Sequence, residues 1–240
     1  MAAGAPDVER EKDVAAARAV ALVQDGWCVG LGTGSTADFA TRRLAERVRR
    51  GLRITGVPTS ERTRMLAVAE GIPLADASAA PRIDIAIDGA DEADRELRLV
   101  KGGGGALLRE RAVDSVAARF VVVCDSTKLV ARLGRFPLPV EVGIAAWPVV
   151  AKSIEQLGGR PALRVVPGRG PFVTDGGNFI LDASFGEIPD PEGLALRLDG
   201  LPGVAGHGLF LGLAHAVIVG RGDTTEIISR PARAGVRRRR

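Results

Sequence analysis

Three runs made almost wholly of apolar residues, WCVGLGT (27–33), IDIAID (83–88) and FVVVCD (120–125), recur between stretches with helical spacing. A strand that is apolar on both faces needs helices on both sides, which is the environment of a parallel sheet. The intervening segments supply them. Residues 7–26 read as a helix ended by Gly26, and 35–51 as a helix capped by Ser35 or Thr36 and stopped by Gly51. Further helices are predicted at 60–71 and about 105–119, with strands at 52–57 and 96–100.

Beyond GRFPLPVEV the texture changes to shorter β-like runs (ALRVV, PFVTD, NFILD) around helices at WPVVAKSIEQLGG and near 191–200. GLFLGLAHAVIVG (208–220) reads as two more buried strands able to rejoin the first sheet. The expected fold is α/β: a Rossmann-like, mostly parallel sheet covered by helices, with a smaller inserted α+β unit of ferredoxin-like type. The expected boundaries are 1–133 with 208–230 for the larger domain, 134–207 for the smaller one, and 231–240 as a basic disordered tail.

Composition narrows the function. The chain has 240 residues, 46% hydrophobic and 26% charged, as a globular protein does. It contains no apolar run of about 18 residues and no secretory h-region, so no membrane partner and a cytoplasmic address are expected. The net charge of +4 comes from the end: RPARAGVRRRR (230–240) carries six arginines, and without them 27 basic face 29 acidic residues. With no aromatic residue interleaved, that tail reads as a solvated end, not a nucleic-acid reader. Cys28 and Cys124 sit in apolar runs and read as free buried thiols, while His207 and His215 are too few for a histidine metal cluster and read as structural. Only four of the 33 basic residues are lysines: Lys12, Lys101, Lys128 and Lys152. Where arginine is so preferred, a retained lysine points to a place that needs a compact ammonium.

The chemistry gathers at strand ends. The first strand delivers GTGSTA into a helix start, where Gly32 and Gly34 allow close approach, Thr33, Ser35 and Thr36 offer hydroxyls, and helix amides favour an anion. The spacing is not G-x-G-x-x-G and no acid ends the second strand, so a small phosphate-bearing ligand is favoured over a dinucleotide. The alternative is an ordinary glycine turn. DGADE puts Asp88 and Asp91 past the end of an apolar strand; a local Asp-Gly turn would explain one of them, but less well both together with Lys101. The GGGG run (102–105) is either a hinge or a bare backbone that donates N–H groups to ligand oxygens. In the following helix, Ala106, Glu110, Val113 and Ala117 form one line that is otherwise apolar, so Glu110 points inward, where burial would tune it toward a general base. Pairing with Arg109 or Arg111 at the surface is the competing reading. Lys128 also follows a strand end, Lys12 could reach the same rim from the first helix, and Lys152 is expected to be solvated.

GLGTGSTA, TSERT, DGADE, KGGGGALLRE, FPLPVEV, LGGRP and VTDGGNFILD occur in order and together resemble ribose-5-phosphate isomerase type A, from about residue 8 to 228. The resemblance implies interconversion of D-ribose 5-phosphate and D-ribulose 5-phosphate in the non-oxidative pentose phosphate pathway, without metal or coenzyme, in a homodimer or homotetramer. It implies Glu110 as proton acceptor. Thr33, Gly34, Ser35 and Thr36, then Asp88, Gly89, Ala90 and Asp91, then Lys101, Gly102, Gly103 and Gly104 match its substrate-binding loops, Lys128 a substrate-binding lysine, and Lys12 a phosphate contact. On this basis Asp88 is assigned ring opening and proton transfer between oxygens, Asp91 the orientation of hydroxyls, and Lys101 with the glycine amides the stabilisation of an enediolate. Two departures stand out: LLRER where the family often has threonine and lysine beside the arginine and glutamate, and no asparagine after GLF. A sugar-phosphate sensor without catalysis and a coenzyme A transferase using the glutamate as nucleophile are the alternatives.

Overall fold

The computed structural model describes residues 6–75 and 82–230; the arginine-rich segment 231–240 lies outside the described residues. From the N-terminal side run α1 (Val8–Val20), β1 (Trp27–Leu31), α2 (Ser35–Arg49), β2 (Ile54–Pro58), α3 (Glu61–Ala69) and β3 (Ile85–Gly89). Two short strands, β4 (Glu92–Ala93) and β5 (Leu99–Val100), precede α4 (Leu107–Val116) and β6 (Phe120–Cys124). Then come β7 (Leu138–Val142), α5 (Trp147–Gln156), β8 (Arg160–Leu163), β9 (Val165–Val166), β10 (Gly170–Pro171), β11 (Phe179–Ser184), α6 (Pro191–Asp199) and β12 (Val204–His207). β13 (Leu209–Phe210), β14 (Ala216–Arg221) and β15 (Thr224–Ser229) follow.

The large sheet has the order β15-β14-β6-β3-β1-β2, parallel throughout except for the β14–β15 hairpin. Its strands are apolar on both faces because both are covered. Val121 and Val123 of β6 join Ile85, Ile87 and Ile218 against Ala15, Ala16 and Ala19 of α1 and Leu44 of α2. Their neighbours Phe120, Val122 and Cys124 point the other way, into a cluster with Leu97, Leu99 and Phe210. From β1 the chain turns to β2 on one side and later to β3 on the other. The crevice between the carboxyl ends of β1 and β3 is therefore a topological switch point, where open α/β sheets bind ligands.

A second, antiparallel sheet has the order β12-β7-β11-β8, which for its own strands is fourth, first, third, second. With α5 and α6 in the two crossovers this is the ferredoxin-like arrangement. Val140, Val142, Val150, Ile154, Leu181 and Leu198 form its core.

Several local expectations change. The strand expected at 96–100 shrinks to Leu99–Val100, because Asp94 Oδ1 accepts N–H bonds from Glu96 and Arg98 and curls the preceding segment into a turn, with Leu97 at φ 63. It pairs with β4 and β13 in a separate small sheet, so only β14 of the two strands expected in 208–220 rejoins the large one. The strands β7, β12 and β15 lie outside the sequence-based reading; LPVEV, VAGH and TTEIIS lack the continuous apolar run that marked the buried strands. Both cysteines are free, Cys124 buried and Cys28 half-buried. Each histidine is structural: His215 Nδ1 accepts the Phe120 N–H and His207 Nδ1 that of Leu209.

Candidate active site

An open cleft lies at the carboxyl ends of β1, β3 and β6. Thr33, Gly34, Ser35, Thr36, Gly89, Ala90, Asp91, Lys101, Gly102, Gly104, Glu110 and Lys128 line it, so four segments distant in sequence converge there.

The first wall is the turn from β1 into α2. Gly32 N–H reaches Ile87 O, and a Cβ at Gly32 would lie 2.2 Å from Asp88 Oδ1, so no larger residue fits between the strands. Thr33 N–H donates to that same Asp88 oxygen at 2.9 Å. The Thr33 hydroxyl is anchored among Thr59, Ser60 and Thr63 at 2.8, 2.7 and 3.1 Å, which gives the TSERT stretch its place behind the site. The expectation that Ser35 or Thr36 caps α2 fails: the capping position is Gly34, at φ 114 and ψ 169, with no side-chain capping bond. The reason is steric, since that backbone geometry belongs to glycine. Ser35 and Thr36 are instead the first helical residues, and the helix start, free of a side-chain cap, faces the cleft as an anion site would.

The floor is a buried ion cluster. Lys101 Nζ lies 2.8 Å from Asp88 Oδ2, 3.5 Å from Glu110 Oε2 and 3.9 Å from Asp114 Oδ2, and donates to Gly89 O at 2.6 Å. Lys101, Glu110 and Asp114 are each 2% exposed and Asp88 not at all. Burial alone would pull the Lys101 ammonium down, but Asp88, Glu110 and Asp114 together outweigh it and hold the pKa above its ordinary value. Glu110 is pushed up to about 8, mainly by burial, with Lys101 opposing and Asp88 and Asp91 adding to the rise. Burial also raises Asp91, against the pull of the Gly103 amide and the Lys101 and Lys128 charges. Among the described residues no group of three His, Cys, Asp or Glu side chains is spaced to hold a metal.

The glycine run is a closely fitted crossing. Gly102 has φ 101, and a Cβ at Gly103 would meet Asp91 Oδ1 at 2.4 Å. Gly103 N–H is used by Asp91 Oδ2 at 2.7 Å, and Gly105 N–H by Gly102 O, which leaves Gly102 and Gly104 to line the cleft. Helix α4 starts at Leu107, two residues later than expected. From the link between β8 and β9, Arg164 Nη1 donates to Gly102 O and Gly103 O at 3.0 and 3.1 Å while its guanidinium pairs with Asp182 of β11.

The structure thus brings together most residues singled out from sequence. Asp88 lies beneath the cleft, in contact with it through Lys101, and Gly103 lies behind Asp91. Lys12 does not line the cleft; it pairs with Glu9 on α1 at 2.6 Å. Lys152 is solvent-exposed on α5. Sequence reading missed Asp114 and Arg164. Asp114 could have been found by counting four residues on from Glu110; Arg164 carries no local signal.

Residues 55–224 match ribose 5-phosphate isomerase A (phosphoriboisomerase A). The ribose-5-phosphate isomerase A of Thermomicrobium roseum is 53% identical over 224 residues, covering 92% of this chain and 94% of that one. That of Gloeobacter violaceus is 51% identical over 225 residues, covering 93% and 97%. The solved ribose 5-phosphate isomerase A of Methanocaldococcus jannaschii superposes with a TM-score of 0.87 at 41% identity, over 91% of this chain and 98% of that one. A D-ribose-5-phosphate isomerase in complex with phospho-erythronic acid gives 0.90 at 39% identity, over 93% and 100%. Neither the sensor nor the coenzyme A transferase reading draws support from these relatives. With its cleft, its fold and its sequence in agreement over nearly the whole chain, the protein belongs to the ribose-5-phosphate isomerase A family and is an aldose–ketose isomerase.

Proposed function

We propose that the cleft interconverts D-ribose 5-phosphate and D-ribulose 5-phosphate through an enediolate, with Glu110 carrying the proton between C1 and C2. The observation that carries this is one carboxylate, 2% exposed and opening onto the cleft, with the Lys101 ammonium 3.5 Å away. A base kept dry is strong when deprotonated, and the adjacent cation faces the charge that develops on the substrate oxygens. A well-placed donor of this kind contributes a few kcal/mol, on the order of 3, to the transition state. Ring opening and proton exchange between oxygens fall to Asp88 acting through Lys101, a directly paired carboxylate and ammonium, while Asp91 on the cleft wall orients hydroxyls. The α2 start with Ser35 and Thr36, together with Lys128, holds the phosphate, and that anchorage keeps the reacting carbons over the base.

The structural relative bound to phospho-erythronic acid supports this reading, since a carboxylate on a phosphorylated chain matches an enediolate in charge and planarity. We place the reaction in the cytoplasm, in the non-oxidative pentose phosphate pathway, in a homodimer or homotetramer whose size sedimentation would measure. Residues 1–133 and 208–230 would form the catalytic domain around the large sheet, and 134–207 the smaller one. The test is Glu110→Gln. Turnover of ribose 5-phosphate is expected to fall by roughly 10²–10⁴-fold, with solvent deuterium no longer entering at carbon and substrate affinity kept within a few-fold. A near-normal kcat would remove Glu110 from the role of base.

A further inference from the structure

Asp114 is a buried carboxyl group that the mechanism above leaves idle. It sits one turn beyond Glu110 on α4, and neither of its oxygens has a hydrogen-bond partner among the described residues. Asp88 Oδ2 lies 2.8 Å from Lys101 Nζ, the cation that both carboxyl groups approach. The two carboxyl groups converge on the same ammonium, at 2.8 Å for Asp88 and 3.9 Å for Asp114. Fully ionised, the buried cluster would set three anions against one cation. A buried carboxyl group with no donor to either oxygen, beside a second carboxyl group, is the arrangement a single shared proton resolves.

We infer that Asp114 is held as the neutral acid and donates its proton to Asp88, keeping Asp88 ionised and aimed at Lys101 while Glu110 cycles between its two protonation states. Asp114 is thus a positioning residue. The groups around it agree. Asp88 comes from β3, Lys101 from the segment after β5, and Glu110 and Arg111 from α4 itself. Arg111 does not neutralise it: its guanidinium donates to the carbonyls of His207 and Leu209 and stacks 4.3 Å over Phe210. The Phe120 and Phe210 rings stand 6.0 and 5.4 Å from Lys101 Nζ, so aromatic rings flank the cluster on that side. Burial, then the charge of Asp88, raises the Asp114 carboxyl well above the ordinary range, in the direction this assignment requires.

The inference rests on the isomerase reading of the cleft, but its first test needs no turnover. In the Glu110→Gln variant at pH 7, infrared spectroscopy is expected to show a protonated-carboxyl C=O band that disappears when Asp114→Asn is added. If the second substitution removes no such band, the assignment is wrong. The second test uses the otherwise unaltered enzyme. Asp114→Asn, whose amide can still donate to Asp88, is expected to keep kcat within about threefold and the acidic limb of the pH profile in place. Asp114→Ala, with no donor, is expected to lose about tenfold or more in kcat and to move that limb. Equal losses in the two variants, or none in the alanine variant, would overturn the inference.

Discussion

Replacing Glu110 with glutamine is expected to stabilise the protein in alkaline solution and to leave its stability nearly unchanged in acid. The carboxyl is pushed from an ordinary 4.5 to about 8 in the fold, chiefly because burial disfavours its charge. Between those two values the native state holds a proton that the unfolded chain has released. Wild-type stability from this group is therefore complete below 4.5, falls as pH rises through the window, and levels off above about 8. The cost of holding the charge in place at high pH is on the order of 3–5 kcal/mol. Glutamine has the same shape and nothing to ionise, so the variant avoids that cost. For a chain of this length the difference corresponds to a rise on the order of 10 °C in Tm at pH 9. Equilibrium urea unfolding of both proteins at pH 5 and pH 9 separates the effect from general changes in packing, because the wild-type carboxyl is already neutral at the lower pH. A variant no more stable than wild type at pH 9, or a gap equal at both pH values, would refute the claim that the base is stored in a dry pocket.

Three further outcomes follow from the same geometry. For ribose 5-phosphate, kcat/KM is expected to rise about tenfold per pH unit up to a bend near the Glu110 value of about 8, because this ratio reports the free enzyme; a profile already flat above pH 6 would contradict it. Lys128→Ala is expected to raise KM about 10–100-fold with kcat changed only a few-fold, the loss of one charged contact to phosphate; steady-state kinetics in which kcat falls while KM holds would move Lys128 out of phosphate binding. Arg164→Met removes the donors that fix Gly102 O and Gly103 O, and is expected to lower kcat about tenfold with little change in KM; unchanged kinetics would show that the glycine crossing keeps its shape without the second sheet.

What could be read from sequence, and what could not, divides along the range of the forces involved. The apolar runs of β1, β3 and β6 announce buried parallel strands because both faces are covered, a property of a few consecutive residues. Their ends then locate the cleft with no knowledge of the rest, which is why Thr33 to Thr36, Asp91, Lys101 and Lys128 could be singled out in advance. Glu110 was legible by counting along α4, and the same counting reaches Asp114; the line through Val113 drew attention away from it. Other features depend on a partner that local pattern cannot see. The α2 cap turns on the φ of Gly34, and the grip on the glycine run comes from Arg164, a residue 62 positions from Gly102. The lysines join the two kinds of information. Among 33 basic residues only four are lysines, and the structure puts Lys101 inside three carboxylates and one carbonyl at 2% exposure. A guanidinium is wider and planar and would force those carboxylates apart, whereas a compact ammonium lets them converge on one point. The bias in composition was thus the trace of a packing constraint, one that becomes visible only when Asp88, Glu110 and Asp114 close around the same nitrogen.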